Sequence, residues 1–293
     1  ISLEVRQRVQ QLAEELQFKH NRFAGNFRKK QSKLIAVVLP KIYRSFIPDV
    51  IEGITKTLKQ NNFQTLILLT EDQLENEIAA IQQCCDMRVD GILLSLSNQT
   101  KNLNHLTSCK SLGIPLVLFD NTLESQDFPS VHINDALAAA ACANYLNDKK
   151  INRVAAVFGP EELNISKNRK SGFLNALQEN ITCDICYAED SKAAYDFVNE
   201  QISLHQTAAF FGISDEVLLG IITAIKENRL SKKTVVIGFS DGLTMPFLHK
   251  QLHYIFHDGK IVGHQAAQLI LRHIEESPVH KQDVEIKVEL FGA

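Results

Sequence analysis

No apolar run in this chain approaches the roughly 20 residues that a membrane-spanning helix requires, and no secretory signal pattern opens it. A membrane protein is therefore not expected. G-x-G-x-x-G, the Walker A loop and H-E-x-x-H are all missing. Their absence removes the usual sequence signals for a dinucleotide, a nucleoside triphosphate and a catalytic zinc. The six cysteines, Cys84, Cys85, Cys109, Cys142, Cys183 and Cys186, form no disulfide framework. Two are adjacent, and most lie in apolar or helical surroundings, which suits buried thiols in a reducing compartment. CDIC (183–186) has C-x-x-C spacing, but on a strand residues three apart point to opposite faces and cannot share a metal. His253 and His257 in HYIFH also fall on a predicted strand and make no helical metal pair. Neither a metal nor a cofactor is expected.

Charge is present but unevenly spread. The chain holds 31 Lys and Arg against 34 Asp and Glu, a net of −3. Residues 1–33 hold eight basic residues against Glu4, Glu14 and Glu15, a net of +5, which leaves −8 for residues 34–293. A basic arm on an acidic body suits a polyanion partner for the arm; a basic, solvated tail is the plain alternative. Within the arm, NRFAGNFRKKQS (21–32) sets Phe23 and Phe27 among Arg22, Arg28, Lys29 and Lys30. Before it, LEVRQRVQQLAEEL (3–16) reads as an amphipathic helix that Ser2 can cap. The chain opens on Ile1 rather than Met, so trimming upstream is expected, with the partners of this helix among the lost residues.

From residue 34 onwards short apolar runs alternate with amphipathic segments. The first set of runs is LIAVVL (34–39), TLILLT (65–70), GILLSL (91–96) and PLVLFD (115–120); the second is RVAAVFG (153–159), TCDICY (182–187), AAFFG (208–212) and TVVIGFS (234–240). The runs are continuous rather than alternating, as in parallel strands covered on both faces. Two successive sets of β-α units predict an α/β protein with two doubly wound parallel-sheet lobes. The tail adds YIFH (254–257), a helix over 263–276 and VEIKVEL (284–290). Ligands of such sheets bind beyond the carboxyl ends of the strands, and two lobes can turn those ends towards one cleft.

Two features bear on chemistry. GFSDG (238–242) matches G-x-S-x-G after a strong strand, the turn that exposes a hydrolase serine. Asp258 and His264 follow Ser240 in the required order but only six residues apart. No oxyanion segment appears, and a loop lining a binding cleft is the simpler reading. Polar residues at strand ends are more informative. Asp120 ends PLVLFD, Ser214 and Asp215 follow AAFFG, Ser240 and Asp241 end VVIGF, and Arg169 opens a helix. Each suits a cap or turn. As a set, with Phe46 and Phe211 nearby, they suit a polyhydroxylated ligand.

These residues bring a resemblance into view. SLEVRQRVQQLAEELQFKHN, NRFAGNF, MRVDGILL (87–94), GIPLVLFD (113–120), RKSGF (169–173), SDEVLLG (214–220) and VVIGFSDG (235–242) match, in order, signature positions of the LacI/GalR family of bacterial transcription regulators. The resemblance runs from Ser2 to about residue 276. It implies a periplasmic-binding-protein-like fold and three parts. Residues 1–33 would be the end of a helix-turn-helix domain and its hinge. Residues 34–133 plus 258–279 would be the N-terminal lobe, and 134–257 plus 280–293 the C-terminal lobe. It implies that Phe46, Asp120, Arg169, Phe211, Ser214, Asp215, Ser240 and His257 contact the effector, Asp215 alternatively capping the next helix. It also implies that Asn21, Arg22, Ala24, Phe27, Arg28 and Lys29 meet DNA from the hinge. Departures from the family pattern are Ser214, Ser240, His257, Gly25 and Phe27.

The expected function is a cytoplasmic, ligand-responsive DNA-binding transcription regulator that is not an enzyme. Its partners would be operator DNA, a sugar or related small metabolite, and a second copy of the chain in a homodimer, or a tetramer of two such dimers. The alternatives are a free periplasmic-type sugar-binding protein and a serine hydrolase using GFSDG.

Overall fold

The computed structural model describes residues 2–16, 31–42, 46–149, 151–204, 207–230, 234–276 and 282–292. Helix α1 (Leu3–Glu15) comes first, with Ser2 Oγ accepting from the Val5 amide at 3.4 Å. Leu3, Val5, Val9, Leu12 and Leu16 all point into solvent.

The body holds two sheets of the same design. The first contains β1 (Leu34–Leu39), β2 (Gln64–Leu69), β3 (Gly91–Leu94), β4 (Leu116–Phe119), β5 (Ser130–Ile133) and β11 (Val284–Ile286), in the order β11-β5-β4-β3-β1-β2. The second contains β6 (Arg153–Phe158), β7 (Thr182–Tyr187), β8 (Ala209–Gly212), β9 (Val235–Ser240), β10 (Leu252–Phe256) and β12 (Leu290–Phe291), in the order β12-β10-β9-β8-β6-β7. Every pairing is parallel except β10 with β12.

Continuous apolar strands are buried on both faces, and β1 shows why. Ile35, Val37 and Leu39 pack under α2 (Phe46–Gln60) and α10 (Gly259–Glu275). Ala36 and Val38 face α3 (Leu74–Asp86) and the short α4 (Thr107–Ser111). The period of two sends neighbours to opposite layers, so each needs an apolar side chain. The second sheet is covered by α5 (Asp135–Asp148), α6 (Asn164–Ala176), α7 (Ser191–Leu204) and α8 (Asp215–Glu227) around one core. Helix α9 (Met245–Leu248) is a single turn.

The chain passes between sheets three times: at Asn134 between β5 and α5, at His257 and Asp258 between β10 and α10, and at Lys287–Glu289 between β11 and β12. The last crossing corrects the expected boundary. Residues 280–293 do not all join the second lobe, because Val284–Ile286 pair with Val131–Ile133 of the first sheet. Only Leu290 and Phe291 join the second. VEIKVEL is thus two short edge strands, each completing a different sheet.

All six cysteines are free thiols. Burial pushes the Cys84, Cys109 and Cys183 thiols up to about 12. Cys183 and Cys186 are partly buried on β7. Among the described residues no helix is long and apolar enough to cross a membrane, and no cluster of three or more His, Cys, Asp or Glu is placed to hold a metal ion.

Candidate functional site

The carboxyl ends of both sheets open on one cleft of about 770 Å³. Seven of the eight effector positions named from the sequence line it: Phe46, Asp120, Arg169, Ser214, Asp215, Ser240 and His257.

Arg169 is the best-anchored of them. It sits in the second turn of α6 and is buried, 6 % exposed. Its Nε donates to Asp135 Oδ1 at 2.7 Å and its Nη1 to the Ile213 carbonyl at 2.7 Å. The guanidinium lies 3.7 Å from the centre of the Phe239 ring. Two charge-assisted bonds and a stacked face hold the planar group in one orientation.

Asp120 follows β4 with φ at +57°, a left-handed conformation that Asp adopts more readily than most residues. It is half-buried. Burial, reinforced by Asp135 and opposed by Arg169, pushes its carboxyl up to about 6. Across the cleft floor, His257 stacks on Phe46 with ring centroids 3.8 Å apart. Burial and then the Arg169 cation push the His257 imidazole down to about 3, so the ring is neutral at physiological pH.

Ser214 is the N-cap of α8; its side chain accepts from the Val217 amide at 3.5 Å. Asp215 is therefore not the cap. Its Oδ1 accepts from Ser240 Oγ at 2.5 Å and its Oδ2 from the Asp241 amide at 3.0 Å. It ties the end of β9 to the start of α8. Ser240 Oγ also accepts from the Gly242 amide at 3.1 Å. The hydrolase alternative needs Ser240, Asp258 and His264 together. Instead, Asp258 Oδ1 accepts from the Lys260 and Ile261 amides at the start of α10. His264 Nδ1 lies 2.8 Å from Thr57 Oγ1, between α10 and α2.

Phe211 is the exception. It is fully buried on β8 and does not line the cleft; its ring lies 4.3 Å from Phe173 and 5.3 Å from Phe158. Among the described residues the phenylalanine of the second sheet that reaches the cleft is Phe239. Phe211 pairs with Ile237, so Phe239 stands on the same face, two residues nearer the carboxyl end. Distance from the end of the strand, not aromatic character, selects the cleft residue.

Sequence reasoning also missed an amide network on the first lobe. Asn121 Nδ2 donates to the Leu96 carbonyl at 2.8 Å and to Asn98 Oδ1 at 3.2 Å. Asn98 in turn donates to Asp72 through its amide and Nδ2, at 2.8 and 2.7 Å. All three line the cleft. Behind them, fully buried Glu77 accepts from the Ser97 amide at 2.5 Å and Thr100 Oγ1 at 2.9 Å, with His105 Nε2 2.8 Å away. It pins the loop that carries Asn98. The usable signal was Asn at strand ends, in LSLSN and FDN. The hinge positions Asn21, Arg22, Ala24, Phe27, Arg28 and Lys29 lie outside the described residues.

Two strand-end walls facing across a cleft occur in binding proteins of several kinds. Residues 32–293 match the family described as periplasmic binding proteins and sugar binding domain of LacI family. The chain belongs to this family. Among LacI-family proteins, the HTH-type transcriptional repressor CytR of Escherichia coli K12 is 26 % identical over 282 residues, covering 92 % of this chain and 81 % of its own. Two solved structures have the same fold, both at a TM-score of 0.78 and 18 % identity. One is the Cra transcriptional dual regulator of Pseudomonas putida with fructose 1-phosphate, covering 89 % of this chain and 98 % of its own. The other is a periplasmic solute-binding protein of Actinobacillus succinogenes with D-allose, covering 88 % of this chain and 97 % of its own.

Proposed function

We infer that this chain is the ligand-sensing body of a DNA-binding transcription regulator. A sugar or related small metabolite enters the cleft and draws the two lobes together, and operator affinity changes as a result. The observation that carries this reading is the single cleft lined from both sheets by strand-end polar groups and aromatics. A ligand touching both walls favours the closed arrangement by its differential affinity for it. Phe46, Asp120, Arg169, Ser214, Asp215, Ser240 and His257 are the effector contacts in this proposal, joined by Phe239 and Asn121. The hinge residues Asn21, Arg22, Ala24, Phe27, Arg28 and Lys29 meet DNA phosphates and the minor groove. The protein is not an enzyme, works in the cytoplasm and acts as a homodimer.

The periplasmic alternative shares this fold, so the likeness of folds does not separate the two. The basic first 33 residues and the repressor relative favour the regulator. The test is operator binding by the full-length gene product, with and without cleft ligands. Sequence-specific binding whose affinity shifts with ligand is expected; binding that is absent, or indifferent to every cleft ligand, overturns the reading.

A further inference from the structure

The cleft is charged on one side of neutral. Among the described residues five carboxylates line it, those of Asp72, Asp120, Asp215, Asp241 and Glu189, against two cations, Lys41 and Arg169. Arg169 is already committed to Asp135 and to the Ile213 carbonyl, and Lys41 is exposed. Phosphate recognition requires the opposite balance, with donors and positive charge converging on the anion. Helix amino ends do not restore it. The first turn of α8 carries Asp215 and Glu216, and that of α2 carries Asp49, so their own carboxylates take up the field that attracts an anion. The amino end of α6 has no acid in its first turn, but Glu189 lines the same cleft.

The acids also differ in what they already hold. Asp72 accepts from Asn98, Asp215 from Ser240 and the Asp241 amide, and Asp241 from the Leu243 amide. No hydrogen bond to the Asp120 carboxylate is found among the described residues. A half-buried carboxylate facing a cleft is completed by hydroxyl donors.

We propose that the effector is an uncharged, hydroxyl-bearing molecule that donates hydrogen bonds to Asp120, and that phosphorylated and carboxylate-bearing metabolites are excluded by the cleft's own acids. This rests on the cleft being the effector site. Burial and Asp135 already disfavour the Asp120 charge, and an incoming anion adds a further like charge in a partly desolvated space. Solved relatives of the same fold hold a free sugar in one case and a sugar phosphate in another, so the side chains and not the fold decide.

The experiment is calorimetric titration of this chain with matched pairs: D-ribose against ribose 5-phosphate, D-fructose against fructose 1-phosphate, uridine against uridine 5′-monophosphate, with D-allose and myo-inositol as further neutral probes. A neutral member should bind, and its phosphorylated partner should bind about tenfold more weakly or worse. Asp120→Asn, which keeps the shape and tolerates the left-handed backbone, should weaken the neutral ligand about tenfold and narrow the gap to its phosphate. A phosphorylated member binding as tightly as its parent overturns this inference while leaving the cleft reading intact. Binding by no member of either class overturns both.

Discussion

Asp120 and His257 hold opposite obligations to pH, and the difference is measurable. The folded Asp120 releases its proton near 6 and the unfolded one near 3.8. Above pH 6 both states are ionised, and the folded chain bears the full cost of a half-buried charge, about 2 kcal/mol once cleft water is allowed for. As pH falls from 6 towards 4 the folded state takes up its proton first and the cost disappears. His257 acts the other way. Its folded imidazole stays neutral down to about 3, so stability is lost as pH falls below the unfolded value of 6.5. Asp120→Asn should therefore gain about 2 kcal/mol at pH 7.5 and nothing at pH 4, while His257→Gln should flatten the acid limb. Urea denaturation between pH 4 and 8 reads both; a wild-type pH slope in either variant contradicts the assignment. Arg169→Met makes a sharper demand. It leaves Asp135 without its partner, only 12 % exposed at the side chain, and should cost about 3 kcal/mol. It should also raise Asp120 further, since Arg169 is what holds that carboxyl down. Asp120 was legible in the sequence because several polar residues at the ends of apolar runs can turn towards one cleft, although each alone suits a cap or turn, whereas His257 entered only through the family resemblance. Phe211 was misplaced and Phe239 overlooked because two aromatics on one face of neighbouring strands look alike until the register fixes their depth.

Elements meet in this molecule through glycine at places where a side chain would not fit. A Cβ on Gly172 of α6 would lie 2.1 Å from the Ala136 carbonyl oxygen of α5. That close approach sets Arg169, three residues before Gly172, beside Asp135, the neighbour of Ala136. Gly172→Ala should therefore push α6 outward, costing roughly 2 kcal/mol or more, and should weaken cleft ligands together with stability. Unchanged stability and affinity would show that the helices slide apart at no cost. The strands and most of the helices were readable from apolar runs and periodicity. The split of VEIKVEL was not, because the pairing partners of two short edge strands, β5 for one and β10 for the other, lie far away in sequence.

At the scale of the whole molecule the repeated rhythm of β-α units announces two lobes, and the common strand order of the two sheets bears it out. What the rhythm does not show is which outer surfaces remain open. Each sheet has two edge strands, one of them β2 in the first lobe and β7 in the second, and among the described residues neither of these pairs along its outer edge. Both edges keep large apolar side chains in solvent: Ile67 and Leu69 on β2, Ile185 and Tyr187 on β7, with Ile78 on α3. An exposed edge with apolar side chains is a liability for a monomer. The proposed dimer would remove it by covering corresponding edges of both lobes across a two-fold axis, so that a change on one strand acts twice in the pair. Paired Ile67→Lys and Leu69→Lys substitutions should give a monomer by sedimentation, with the pH-dependent unfolding of the single chain and its affinity for cleft ligands kept. Operator affinity should fall steeply, because two half-sites are then no longer bound together. A variant that still sediments as a dimer would place the interface elsewhere on the surface.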